Sequence, residues 1–90
     1  MDVESRLKQA ANVTFQTVAG EAILIRLDTG TYFSLNKVGT EFWEMLEGSQ
    51  TIDEQAATLA ANYGVGVDVV QADLLELATA LLEEKLVEIA

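Results

Sequence analysis

The hydrophobic pattern changes its period once along this 90-residue chain, and that change constrains the fold more than any other feature. Before Asp28, apolar residues alternate with polar ones, which is typical of half-buried strands. After Asn36, apolar residues recur every three or four positions, which is typical of amphipathic helices. The stretch 28–39 joins these two halves, so we expect a sheet that is followed by helices.

Three strands are predicted before the change of period, at residues 13–18, 22–27 and 31–35. Glycine-containing turns at 19–21 and 28–30 separate them, and such short turns favour antiparallel pairing. The predicted fold class is therefore α+β, with a three-stranded antiparallel meander followed by three helices. The domain is expected to cover residues 13–90. Residues 1–12 form an N-terminal segment for which a short helical turn and a frayed terminus both remain open.

The third predicted strand, Thr31–Leu35, lies at an edge of the meander and contains neither a charge nor a proline. An edge strand exposes unpaired N–H and C=O groups, which a protein must cover, charge or use for binding. The alternation of side chains in a strand puts Tyr32 and Ser34 on one face and the other three residues on the opposite face. Nothing in its own sequence protects this strand from pairing with another chain.

Two helices are predicted directly after the meander. The first begins after Asn36, a suitable N-cap, and ends near Gly48. The second begins at a capping box formed by Thr51 and Glu54 and ends at Gly64. The polar face of the first helix is expected to carry Glu41, Glu44 and Glu47.

The third predicted helix begins at a possible Asp68 cap, runs to about Lys85 and precedes a short extended piece at 87–89. Its apolar residues cover an arc of about 180°, wider than the roughly 100° that packing against one neighbour needs. They are Val70, Leu74, Leu75, Leu77, Ala78, Leu81, Leu82 and Leu86. An arc this wide needs two packing partners. Both partners can lie within the same domain, or one edge of the arc can form the wall of a groove with Asp73 at its lip.

The composition argues against catalysis. Histidine and cysteine are absent, which removes the commonest general base, nucleophile and zinc ligands. Most of the carboxylates fall on polar helix faces, where solvation is their ordinary role. No segment has the spacing of a calcium loop or a phosphate loop. We expect a non-catalytic binding module without a metal ion or cofactor.

The charge and the terminus limit the partners and the location. A formal net charge of −10 disfavours nucleic acids and anionic membrane surfaces. No apolar run approaches the roughly 20 residues of a membrane span, and the first residues lack the features of a signal peptide. The expected location is therefore the cytoplasm.

An ordered set of residues carries a resemblance to a known family. The set is Leu27-Asp28, Gly30–Asn36, Gly39, Phe42-Trp43, Leu46, Gly48, Leu59, Tyr63, Asp73–Leu75, Leu77-Ala78, Leu81 and Leu86-Val87. It resembles the PqqD-like family of RiPP recognition elements, which bind precursor peptides in ribosomal natural-product biosynthesis. Among its members the chain looks most like the stand-alone proteins of lasso-peptide clusters. Many members have glycine at the position of Lys85, and many begin with a proline-containing segment that this chain lacks.

This resemblance implies a fold related to winged helix-turn-helix domains and a role as a peptide chaperone. The leader segment of a precursor peptide would add a strand to the third strand, in a groove between that strand and the third helix. The resemblance assigns backbone pairing to Thr31, Tyr32, Phe33, Ser34 and Leu35, the pocket wall to Val70, Leu74 and Leu77, and contact with a basic or donor group to Asp73. It implies a processing enzyme as a further partner, such as a leader peptidase or a radical-SAM enzyme.

Two alternatives stay open from the sequence. A winged-helix DNA-binding domain needs a basic recognition helix, but Lys85 is the only basic residue of the second and third predicted helices. In a self-associating structural domain, the bare third strand would pair with its own copy and form a homodimer.

Overall fold

The computed structural model describes all 90 residues, which form six strands and three helices. The strands are β1 (Arg6–Gln9), β2 (Val13–Val18), β3 (Glu21–Arg26), β4 (Tyr32–Ser34), β5 (Glu47–Thr51) and β6 (Val87–Ile89). The helices are α1 (Lys37–Glu44), α2 (Ile52–Tyr63) and α3 (Val67–Glu83). The predicted α+β class is confirmed. None of the three helices has the length and apolar character that crossing a bilayer requires.

The sheet β2–β3–β4 is the predicted antiparallel meander. Its register places Phe15, Leu24 and Phe33 side by side on one face, which we call the inner face. The inner face packs against α1, where the rings of Phe15 and Trp43 meet edge to face with centroids 5.7 Å apart. The predicted third strand corresponds to β4.

A second three-stranded sheet, in the order β5–β1–β6, was not predicted from the sequence. Its central strand β1 pairs antiparallel with both neighbours and buries Leu7 completely. The expectation of a helical turn or a frayed terminus is therefore wrong for residues 6–9. The segment Arg-Leu-Lys-Gln has one apolar residue and no period of its own, so its strand depends on hydrogen bonds from two distant segments.

The first helix is shorter than predicted. Helix α1 ends at Glu44, with Met45 as its C-cap, rather than near Gly48. Glu47 therefore begins β5 instead of lying on a polar helix face. Gly48 has a φ of 84°, a left-handed conformation that no helix interior contains.

Two of the three predicted helix starts are confirmed. The Asn36 side chain accepts a hydrogen bond from the Gly39 N–H at 2.8 Å, and Thr51 and Glu54 form the reciprocal capping box of α2. The Asp68 cap is wrong, because α3 begins at Val67 and Gly66 provides no side-chain hydrogen bond to it.

One hydrophobic core of 17 buried residues joins the two sheets and the three helices. Helix α3 is its longest contributor and packs against α2, α1 and β6. Its buried residues are Val70, Leu74, Ala78 and Leu81. Leu77 lies at one edge of the apolar arc and is only partly buried, so that edge remains accessible beside β4.

Candidate functional site

β4 is the last strand of its sheet, and its outer edge is unpaired. The Leu35 N–H donates to the Ala22 carbonyl at 2.8 Å, so Leu35 directs its N–H toward β3. Because successive residues of an antiparallel strand alternate in direction, the N–H and C=O groups of Tyr32 and Ser34 point to the open edge. Neither residue forms a backbone hydrogen bond with a turn, loop or cap. These groups are free to pair with an added strand.

A groove of about 480 Å³ lies between the end of β4 and α3. Its lining consists of Ser34, Leu35, Asn36, Val38, Gly39, Asp73, Leu74 and Leu77. Leu35 and Leu74 are buried and form its floor, whereas Val38 and Leu77 are partly buried at its sides. The only charged group of the lining is the exposed carboxylate of Asp73, which has no salt-bridge partner. The groove therefore has an apolar floor and apolar sides, with polar groups from the end of β4 and one carboxylate at its rim.

Gly39 allows α1 to approach α3 closely at this groove. A Cβ atom at Gly39 would lie 3.3 Å from Leu77 Cδ2 and 3.2 Å from Asn36 Oδ1, which is tighter than ordinary packing. The Asn36 oxygen is also the N-cap acceptor of α1, so it has little freedom to move aside. The absence of a side chain at Gly39 therefore helps to set the shape of the groove.

The structure brings most of the predicted site residues together. Ser34, Leu35, Asp73, Leu74 and Leu77 line the groove. Tyr32 lies on the adjoining open edge with its side chain exposed, and Phe33 directs its side chain to the inner face. Thr31 precedes β4, and its carbonyl accepts a hydrogen bond from the Arg26 N–H at 3.0 Å.

Val70 is not part of this groove. It lines a second, apolar pocket of about 220 Å³ at the start of α3, with Val38, Leu59, Tyr63, Val65, Val69 and Asp73. Val38 and Asp73 line both the pocket and the groove, so the two are adjacent. The Tyr63 hydroxyl donates a hydrogen bond to the Glu41 carboxylate, which links α2 to α1 and raises the pKa of Tyr63.

Sequence reasoning missed Asn36, Val38 and Gly39 as groove residues. The available signal was their position, because the first turn of a helix that directly follows an edge strand lies at the end of that strand. Helices α2 and α3 contain no Lys or Arg, and no group of three or more acidic residues has an arrangement that could hold a metal ion.

The family model described as coenzyme PQQ synthesis protein D (PqqD) matches residues 21–87. The chain belongs to the PqqD family. The predicted family resemblance is thereby confirmed. The matched region runs from the start of β3 into β6, so it includes β4, the groove and the whole of α3.

A solved structure gives the same result for the fold of this PqqD-family chain. TbiB1 in complex with the TbiA(beta) leader peptide superposes with a TM-score of 0.81 and is 33% identical. The match covers 90% of this chain and 94% of TbiB1. No curated protein matches the chain. Neither the family match nor the match to TbiB1 supports the DNA-binding or the self-associating alternative.

Proposed function

We propose that this chain is a non-catalytic adaptor that binds the leader segment of a ribosomally made precursor peptide by strand addition to β4. The observation that carries the proposal is the unpaired edge of β4 directly beside a groove with an apolar floor. In strand addition, main-chain hydrogen bonds supply affinity and side-chain pockets supply specificity. The likeness to TbiB1, which was solved with a leader peptide, supports this assignment.

The two parts of the site contribute differently to binding. Each backbone hydrogen bond to Tyr32 or Ser34 adds about 0.5–1.5 kcal/mol and is insensitive to the peptide sequence. An aliphatic side chain that is fully buried in the groove adds about 1.5–3 kcal/mol and depends on its shape. The groove therefore selects the peptide and its register, and the edge of β4 supplies affinity and holds the peptide in an extended conformation.

The adaptor also has to deliver the bound precursor. Strand addition holds only the leader, so the rest of the precursor stays available to a processing enzyme such as a leader peptidase or a radical-SAM enzyme. We infer that this happens in the cytoplasm, because ribosomes release the precursor there. The delivery step is tested with the processing enzyme encoded next to this chain. The rate at which that enzyme modifies the precursor is measured with and without this chain, and equal rates would count against delivery.

The peptide-binding assignment is tested by comparing Leu77→Ala with Leu82→Ala. Both leucines are partly buried on α3, but only Leu77 lines the groove. The probe is a fluorescent synthetic leader, taken from the precursor encoded next to this chain, and the readout is its anisotropy. Leu77→Ala should weaken binding about tenfold because it removes apolar contact, whereas Leu82→Ala should bind within about twofold of the original chain. Equal affinities for the two variants would contradict the proposed site.

A further inference from the structure

A third depression, of about 500 Å³, lies at the end of the meander next to the β2–β3 turn. We call it the outer hollow; its lining includes Val18, Glu21, Ile23, Ser34, Leu35 and Asn36. Ser34, Leu35 and Asn36 also line the groove beside α3. The end of β4 therefore lies between two depressions.

The strand register shows which side chains face the outer hollow. Ser34 pairs with Ile23, so both lie on the face opposite to that of Leu24 and Phe33. Ile23 is 41% exposed and Val18 is 59% exposed, although both are large apolar residues on a sheet. Ser34 and Ile23 are directly opposed, so the Ser34 side chain alone lies between Ile23 and the open edge of β4. Because serine is small, it leaves Ile23 accessible from that edge.

We infer that the outer hollow is a second side-chain site for the bound peptide, and this inference rests on the proposed function. Directly opposed residues of paired strands project their side chains to the same face. The peptide residue that pairs with Ser34 therefore points away from α3, and its two neighbours point toward the groove. The side chain of that residue lies across Ser34 and reaches Ile23.

The chemistry of the hollow favours an apolar side chain. Glu21 is the only charged residue of the lining, and the side chain that becomes accessible beyond Ser34 is the aliphatic one of Ile23. The hollow is also continuous with the pairing edge, since Ser34 lines it and also offers its N–H and C=O groups to the added strand. A peptide that pairs with β4 thus reaches the hollow without any rearrangement of the sheet.

Ile23→Ala and Ile25→Ala form a matched pair for the test. Both residues belong to β3 and point to the outer face, but Ile25 pairs with Tyr32 and does not line the hollow. With the synthetic leader peptide as probe, Ile23→Ala should weaken binding about five- to tenfold and Ile25→Ala less than about twofold. Thermal unfolding of both variants checks that the sheet is retained.

An alanine scan of the peptide identifies the side chain that occupies the hollow. Alanine at one peptide position should weaken binding to the original chain about tenfold. The same peptide change should weaken binding to Ile23→Ala much less, because both changes remove the same contact. Ser34→Val should fill the hollow, weaken binding of the original leader and restore binding of the leader that has alanine at that position.

The outcomes separate the two proposals. If Leu77→Ala loses affinity while Ile23→Ala binds like the original chain and no peptide position couples to it, the groove assignment stands and the outer-hollow site is wrong. If the original chain binds no leader peptide, both proposals are overturned. Coupling between Ile23 and one peptide side chain confirms the outer-hollow site.

Discussion

Lys85 occupies a position where backbone geometry and residue type conflict. Its φ is 57°, a left-handed conformation that glycine adopts without steric cost. The Lys85 N–H donates to the Leu82 carbonyl at 3.0 Å, and the Leu86 N–H donates to the Leu81 carbonyl at 2.9 Å. These two bonds form the Schellman motif that ends α3, and the motif requires the left-handed residue. The family resemblance leads us to expect glycine here for the same physical reason.

Lys85→Gly should therefore stabilise the protein. A left-handed conformation costs a residue other than glycine about 1–2 kcal/mol, and the greater freedom of glycine in the unfolded chain offsets part of the gain. We expect a net increase of about 0.5–1 kcal/mol in the free energy of unfolding, measured by urea denaturation. The control is Glu84→Gly, because Glu84 has a φ of −83° and gains nothing from glycine. A loss of stability in Lys85→Gly equal to that of the control would contradict this account.

Asp73 is proposed to meet a basic or donor group of the leader. Its carboxylate is exposed, lines both the groove and the adjacent apolar pocket, and has no ion-pair partner. Asp73→Asn should weaken binding of a leader with Lys or Arg at the contact position about two- to fivefold, the range of an exposed ion pair. It should leave binding of a leader with Gln at that position unchanged. Equal losses for both peptides, measured by calorimetry, would mean that the charge of Asp73 plays no part in recognition.

At the scale of elements, the sequence predicts the helix ends that are set by hydrogen bonds between residues close together in the chain. The Asn36 cap, the Thr51–Glu54 capping box and the Gly64 end of α2 follow from bonds within a few residues, and the structure contains all three. Strands β1 and β5 could not be predicted, because Arg6–Gln9 and Glu47–Thr51 lack an apolar alternation and pair across some forty residues of chain. The same limit applies to the site: β4 and α3 were predicted, but the contribution of α1 depends on how closely it packs at Gly39.

The capping box of α2 should make stability depend on pH. The Glu54 carboxylate accepts hydrogen bonds from the Thr51 N–H at 2.9 Å and from the Thr51 hydroxyl at 3.2 Å, and these bonds lower the pKa of Glu54 in the folded protein. Because the pKa of Glu54 is lower in the folded protein than its ordinary value of 4.5, the charged carboxylate stabilises the fold at pH values above 4.5. This stabilisation is lost as the pH falls through the lower pKa of the folded protein.

Glu54→Gln keeps the capping acceptor but cannot titrate. The original chain should be more stable than Glu54→Gln at pH 6, and the difference should shrink as the pH falls below 4.5. Urea denaturation of both proteins between pH 6 and pH 3 measures this difference. A constant difference over the whole range would show that the charge of Glu54 does not strengthen the cap.

At the scale of the whole molecule, the meander has two open edges, on β2 and on β4, and their surroundings differ. The Leu27 N–H donates to the Asn12 carbonyl at 2.9 Å, and the alternation that follows directs the N–H groups of Val13, Phe15 and Thr17 to the open edge of β2. That edge is longer than the edge of β4, but the groove and the outer hollow both adjoin β4. The account therefore requires that a leader peptide chooses β4.

Amide hydrogen exchange with and without the leader peptide tests this choice most directly. The N–H groups of Tyr32 and Ser34 should exchange rapidly in the free protein and become protected in the complex, whereas those of Phe15 and Thr17 should not change. Protection on β2 alone, no protection of Tyr32 and Ser34, or protection of these two residues in the free protein through self-pairing would contradict strand addition at β4.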